Sequence, residues 1–91
     1  MAMNTIRNIQ FTLLICINKQ LHEFNFRQRN PDLYDTDTAD ERSNRYFFKM
    51  IKENQVWKIE GKDLPAWISS SESLIQQALT DQEKTLPQSS L

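Results

Sequence analysis

The sequence predicts an α+β fold: a four- or five-stranded, mainly antiparallel meander sheet with a C-terminal helix packed on one face. Two observations lead there. Between residues 9 and 60, apolar side chains recur at every second position in short runs, and turn residues separate the runs. From Leu64 onward the apolar period changes to that of a helix. The breaks between runs are short, which places consecutive strands side by side.

The first run is "IQFTLLICI", residues 9–17. Its odd positions, Ile9, Phe11, Leu13, Ile15 and Ile17, form one apolar face, and Gln10, Thr12, Leu14 and Cys16 form the other. Residues 5–18 also admit a helix, because Ile6, Ile9, Leu13, Ile17 and Leu21 fall near one helical stripe. The isoleucines lose χ1 freedom in a helix, which tips the segment to a strand.

"NKQ" turns the chain at 18–20, and "HEFNFR" resumes the alternation with Phe24 and Phe26 in phase. "RNPD" is the next break, since Pro31 forces Asn30 out of helical geometry. "LYDTDT" reads as a polar strand, with Leu33, Asp35 and Asp37 on one face and Tyr34, Thr36 and Thr38 on the other. In "RYFFKMIK", Tyr46, Phe48 and Met50 share a face opposite Phe47 and Ile51. "ENQ" makes a hairpin turn into "VWKIE", where Trp57 and Ile59 are in phase. Gly61 is the only glycine, and the reading gives it a positive φ that ends the strand.

The helical stripe is Leu64, Trp67, Ile68, Leu74, Ile75, Ala78 and Leu79. Asp63 is a cap for a short helical turn over 64–68 containing Pro65, and Ser69 with Glu72 is a capping box for a helix over about 70–81. Ninety-one residues make one domain, read as 1–85, with 86–91 a frayed polar tail.

Composition narrows the function classes. The chain is 38% hydrophobic and 25% charged, with a net charge of -1, so no overall field draws it to nucleic acid or an anionic membrane. Charge is segregated along the sequence: residues 1–31 are basic and residues 32–44 acidic. That segregation allows a head-to-tail contact between the acidic segment of one copy and the basic 19–29 segment of another. A lone Cys16 cannot form an internal disulfide or a paired-cysteine zinc site. The first apolar run is interrupted by polar residues and followed by no small-residue cleavage site, and no run is long enough to cross a membrane. The expected compartment is the cytoplasm.

The acidic stretch "DLYDTDTADERSN" fails as a calcium loop. With Asp35 and Asp37 at positions one and three, Ala39 takes position five, Asp40 takes the glycine position and Tyr46 the bidentate glutamate position. As a strand and turn it offers Asp35, Asp37, Asp40 and Glu41 as an acidic surface, with Asp35 and Asp37 projecting from a sheet edge toward Arg27, Arg29 and Arg45. His22 is the only histidine, and a Cys16–His22 pair across the turn is the sole candidate dyad. No glycine-rich loop or serine elbow occurs. Enzyme activity is not expected, and no catalytic, cofactor or metal residue is assigned.

What one helix leaves uncovered is the most informative feature. Phe47, Ile51, Val56 and Leu14 fall on the second sheet face among Arg45, Lys49 and Lys58. An apolar cluster rimmed by charge reads as a partner surface. The expectation is therefore a small protein-interaction module that self-associates through the second sheet face or a sheet edge, as a homodimer, or meets another protein partner. Phe47, Ile51 and Val56 would be buried at the contact, with Arg45 and Lys49 at its rim. Two alternatives are single-stranded nucleic-acid binding on sheet aromatics, and a small-ligand pocket at Trp57 and Trp67.

Overall fold

The computed structural model describes residues 9–85. Five strands, β1 (Gln10–Ile17), β2 (Gln20–Asn30), β3 (Leu33–Ala39), β4 (Arg45–Glu53) and β5 (Val56–Glu60), precede two helices, α1 (Ala66–Ser69) and α2 (Glu72–Thr85). The strands form one antiparallel sheet in the order β1-β2-β3-β4-β5, and α2 packs across it onto both edge strands, β5 and β1. The fold is α+β. Residues 1–8 of the expected domain and the expected tail at 86–91 lie outside the described residues.

Local chemistry sets the meander. Asn18–Lys19 and Asn54–Gln55 have positive φ at both positions, the type I′ geometry that matches the right-handed twist of the strands they join. The β2–β3 turn is held by Asn30, whose Oδ1 accepts the Asp32 N–H at 2.9 Å, and a register shift between Gln28 and Asn30 accommodates Arg29. Strand, not helix, is the state of the first segment from Gln10 onward, as its alternation and its isoleucines favour.

The core lies between sheet and helices. Ile15, Ile17, Phe24, Phe26, Tyr34, Phe48, Met50 and Trp57 from the sheet are buried against Ile68, Ile75 and Leu79. The period-two faces therefore fall as the sequence predicts, including the polar strand β3, whose Tyr34, Thr36 and Thr38 point inward. Glu83 fixes the far end of α2. Its carboxylate accepts Trp57 Nε1–H at 3.1 Å and the Tyr34 hydroxyl at 3.4 Å, with Lys52 Nζ at 3.7 Å. Burial, and then Glu83, push the Tyr34 hydroxyl well above the usual tyrosine range.

Four sequence expectations are corrected. Asp35 and Asp37 do not project from an edge, because β3 is the central strand. Glu72 forms no capping box with Ser69; its Oε2 instead accepts the Ile59 N–H at 2.8 Å, satisfying a donor on β5. Asp63 does not cap α1: the N-cap is Pro65, with no side-chain cap bond. Gly61 does not have a positive φ. It is required by close approach, since a Cβ there would lie 2.8 Å from Phe48 Cβ and 3.0 Å from Leu64 Cδ1.

Candidate functional site

The face of the sheet turned away from the helices is left open by the described residues, and strand register lays out its contents. One row runs Gln10, Arg27, Asp35, Lys49, Glu60 from β1 to β5. The next runs Thr12, Asn25, Asp37, Phe47 from β1 to β4. Hydrogen bonds follow the second row: Thr12 Oγ1–H donates to Asn25 Oδ1 at 2.6 Å, and Asn25 Nδ2–H donates to Asp37 Oδ1 at 2.9 Å.

Cations answer the two carboxylates within the same chain. Asp35 is paired with Arg29 and, at 3.2 Å, with Lys49 Nζ. Asp37 is paired with Arg45. The Arg29 bond, reinforced by Lys49, holds the Asp35 carboxyl below the usual carboxylate range. Arg27, by contrast, turns its Nε–H to Gln10 Oε1 at 3.3 Å. The acidic and basic segments of the sequence thus meet first inside one molecule, across the β2–β3 and β3–β4 ladders.

Asp40 and Glu41 lie elsewhere, in the β3–β4 turn. Asp40 organises that turn. Its carboxylate accepts the backbone N–H of Arg42 and of Asn44, both at 2.9 Å, the Asn44 side-chain amide at 3.1 Å and the Tyr46 hydroxyl at 3.0 Å. Those donors, the Asn44 side chain foremost, lower its pKa to about 2. The Tyr46 hydroxyl is correspondingly pushed up by Asp40.

Among these charges stand apolar side chains with no cover from the described residues. Phe47 is 68% exposed at the third position of β4, Leu14 is 62% and Leu21 66% exposed on β1 and β2, and Val56 is 44% exposed on β5. The sequence reading places Phe47 and Ile51 together, and they do share this face of β4, but Ile51 is half-buried between Leu33 and Lys58. Leu21 joins this face in addition to the residues expected from the sequence: the period of "HEFNFR", extended back by one residue, puts it outward beside Cys16. A depression of about 330 Å³ borders Phe47 between Arg27, Asp35, Lys49 and Glu60.

The candidate dyad of Cys16 and His22 does not assemble. Cys16 is exposed on the open face, whereas His22 lies on the helix side, its ring stacked on Trp67 at 4.5 Å. Among the described residues there is no group of three or more His, Cys, Asp or Glu able to hold a metal ion. Trp57 is buried, with its indole N–H committed to Glu83. The aromatics proposed for base stacking, Phe24, Phe26 and Phe48, are buried in the core, and Tyr46 bonds Asp40. Phe47 alone among the described rings of these strands faces the open side. No described helix is long and apolar enough to cross a membrane. No family model, curated protein or solved structure matches the chain.

Proposed function

We propose that the chain is a non-enzymatic protein-interaction module that self-associates, covering the open sheet face around Phe47 with a second copy. The exposed Phe47 ring carries this reading. A wet sheet face is normally polar throughout, and a large exposed aromatic on it gains free energy from any apolar cover. The surrounding charge suits a second copy. Arg45 and Lys49 alternate with Asp37 and Asp35 over neighbouring strands, so a half-turn can set cation against anion. Because these groups are already paired within the chain, they set orientation and leave the affinity to the apolar residues. The lone Cys16 fits a reducing, cytoplasmic setting.

The test is molecular mass in solution, by light scattering during size exclusion at high micromolar concentration, for wild type and Phe47→Glu. The Glu variant is expected to keep its circular dichroism, since Phe47 is not part of the core, and to lose chains from the particle. An unchanged mass refutes the reading.

A further inference from the structure

The two edges of the sheet are unlike. The β5 edge is short and carries Lys58 and Glu60. In the β4–β5 hairpin the two-residue turn makes Glu53–Val56 a hydrogen-bonded pair, so Trp57 and Ile59 turn their backbone groups outward. The Ile59 N–H is then taken by Glu72. Shortness, charge and a covering side chain are the means by which proteins keep a sheet edge from pairing.

Among the described residues, the β1 edge has none of them. From Ile9 to Asn18 the chain contains no charge, proline or glycine. The same hairpin logic, closing at Ile17–Gln20, makes the odd residues of β1 the ones bonded to β2, and the Gln28 N–H to Ile9 carbonyl bond at 2.9 Å continues that phase. Gln10, Thr12, Leu14 and Cys16 therefore present N–H and C=O groups to the open side. The core-facing side chains along this edge are unfinished as well: Ile9, Phe11 and Leu13 remain half-buried, whereas Ile15 and Ile17 are buried.

We infer that β1 is a self-pairing edge: two copies join their β1 strands antiparallel about a twofold axis at Leu13, forming one ten-stranded sheet. This register bonds Thr12 to Leu14 of the second copy and Gln10 to Cys16 of the second copy, so all four open positions are used from each chain. Side-chain faces agree throughout. On the helix side Leu13 meets Leu13, and Phe11 meets Ile15, so apolar meets apolar; a one-residue slip would set Phe11 on the wrong face. The uncharged strand brings no like charges into register. A second copy is the occupant because the pattern is complementary to itself, as a twofold contact requires.

The inference rests on the reading that the chain self-associates, but it uses a different surface. With both contacts made, the particle holds four chains, two long sheets packed through their Phe47 faces. Thr12→Pro removes an outward N–H and leaves the β1–β2 backbone bonds intact, losing between these strands only the Thr12 hydroxyl bond to Asn25. It is expected to halve the mass, and Phe47→Glu to halve it separately, leaving the edge-paired dimer. Two further measurements do not depend on the proline variant folding. In wild type the Thr12 and Leu14 amides should exchange slowly with solvent. Leu13→Cys in a Cys16→Ser background should cross-link to a dimer on oxidation, because facing non-bonded pairs have Cα atoms about 4.5 Å apart. Fast exchange at both amides overturns the edge contact. So does protection in a single-chain particle, which would mean that the chain's own residues cover β1. A mass that falls with Phe47→Glu and not with a folded Thr12→Pro leaves the face standing and removes the edge.

Discussion

Thr36 shows how a single atom can work against the fold. Its side chain is buried in the core, and its Oγ1 has no hydrogen-bond partner among the described residues. Burying an unpaired hydroxyl costs about 1–3 kcal/mol. Thr36→Val, nearly isosteric, should therefore raise the stability measured by urea unfolding by about 1 kcal/mol. Gly61 gives the opposite result. Gly61→Ala puts a methyl group against Phe48 Cβ and should cost about 1–3 kcal/mol by overpacking. Asp40 is legible as a turn residue from its type, but the four donors it gathers come from a loop geometry that the sequence does not disclose. Its folded pKa of about 2 lies below the ordinary 3.8. Its contribution is therefore complete above pH 3.8 and is lost as pH falls through about 2. Protection of the Asn44 amide, its exchange rate relative to an unstructured amide at the same pH, should fall over that window in wild type, and Asp40→Asn should remove this change in protection.

At the scale of elements, most of the sheet can be read from period-two alternation, because one buried face forces every second residue to be apolar. β3 is the instructive case. Its inward positions include two threonines, and only the phase of Tyr34 betrays them as core. The helix ends were less legible. Ser69 and Glu72 have the spacing of a capping box, yet Glu72 is drawn to the free Ile59 N–H, a tertiary demand that no local pattern encodes. Glu83 was likewise invisible, since Tyr34, Trp57 and Lys52 reach it from three strands. Glu83→Ala leaves the buried Trp57 N–H and Tyr34 hydroxyl without their acceptor and should cost about 1–3 kcal/mol, read as a lower urea midpoint. In the β4–β5 turn, Gln55 occupies a positive-φ position that glycine fills without steric cost. Gln55→Gly should add about 0.5–1 kcal/mol without altering the register.

For the whole molecule, the question is what one helical layer does to a five-stranded sheet. It covers one face, and the other is left to polar residues, partner atoms or both. The sequence placed Phe47, Arg45 and Lys49 on that second face correctly, because strand phase alone decides it. It could not show that Arg45 and Lys49 are already engaged with Asp37 and Asp35, since ion pairing depends on strand order. That engagement separates the readings of the face. Cations held by carboxylates are poorly placed for phosphates, and base stacking is left with Phe47. Fluorescence titration with labelled single-stranded DNA at low salt, where such attraction is strongest, should give no saturable binding.

A second copy is proposed to cover Phe47. The most direct measurement is the relaxation of the Phe47 ring protons by a soluble paramagnetic probe, followed by NMR as the protein is concentrated from low to high micromolar. The ring should become shielded as chains associate, while Lys62 and Asp63, exposed in the loop before α1, stay accessible. A ring that remains as accessible at high concentration as at low would contradict it.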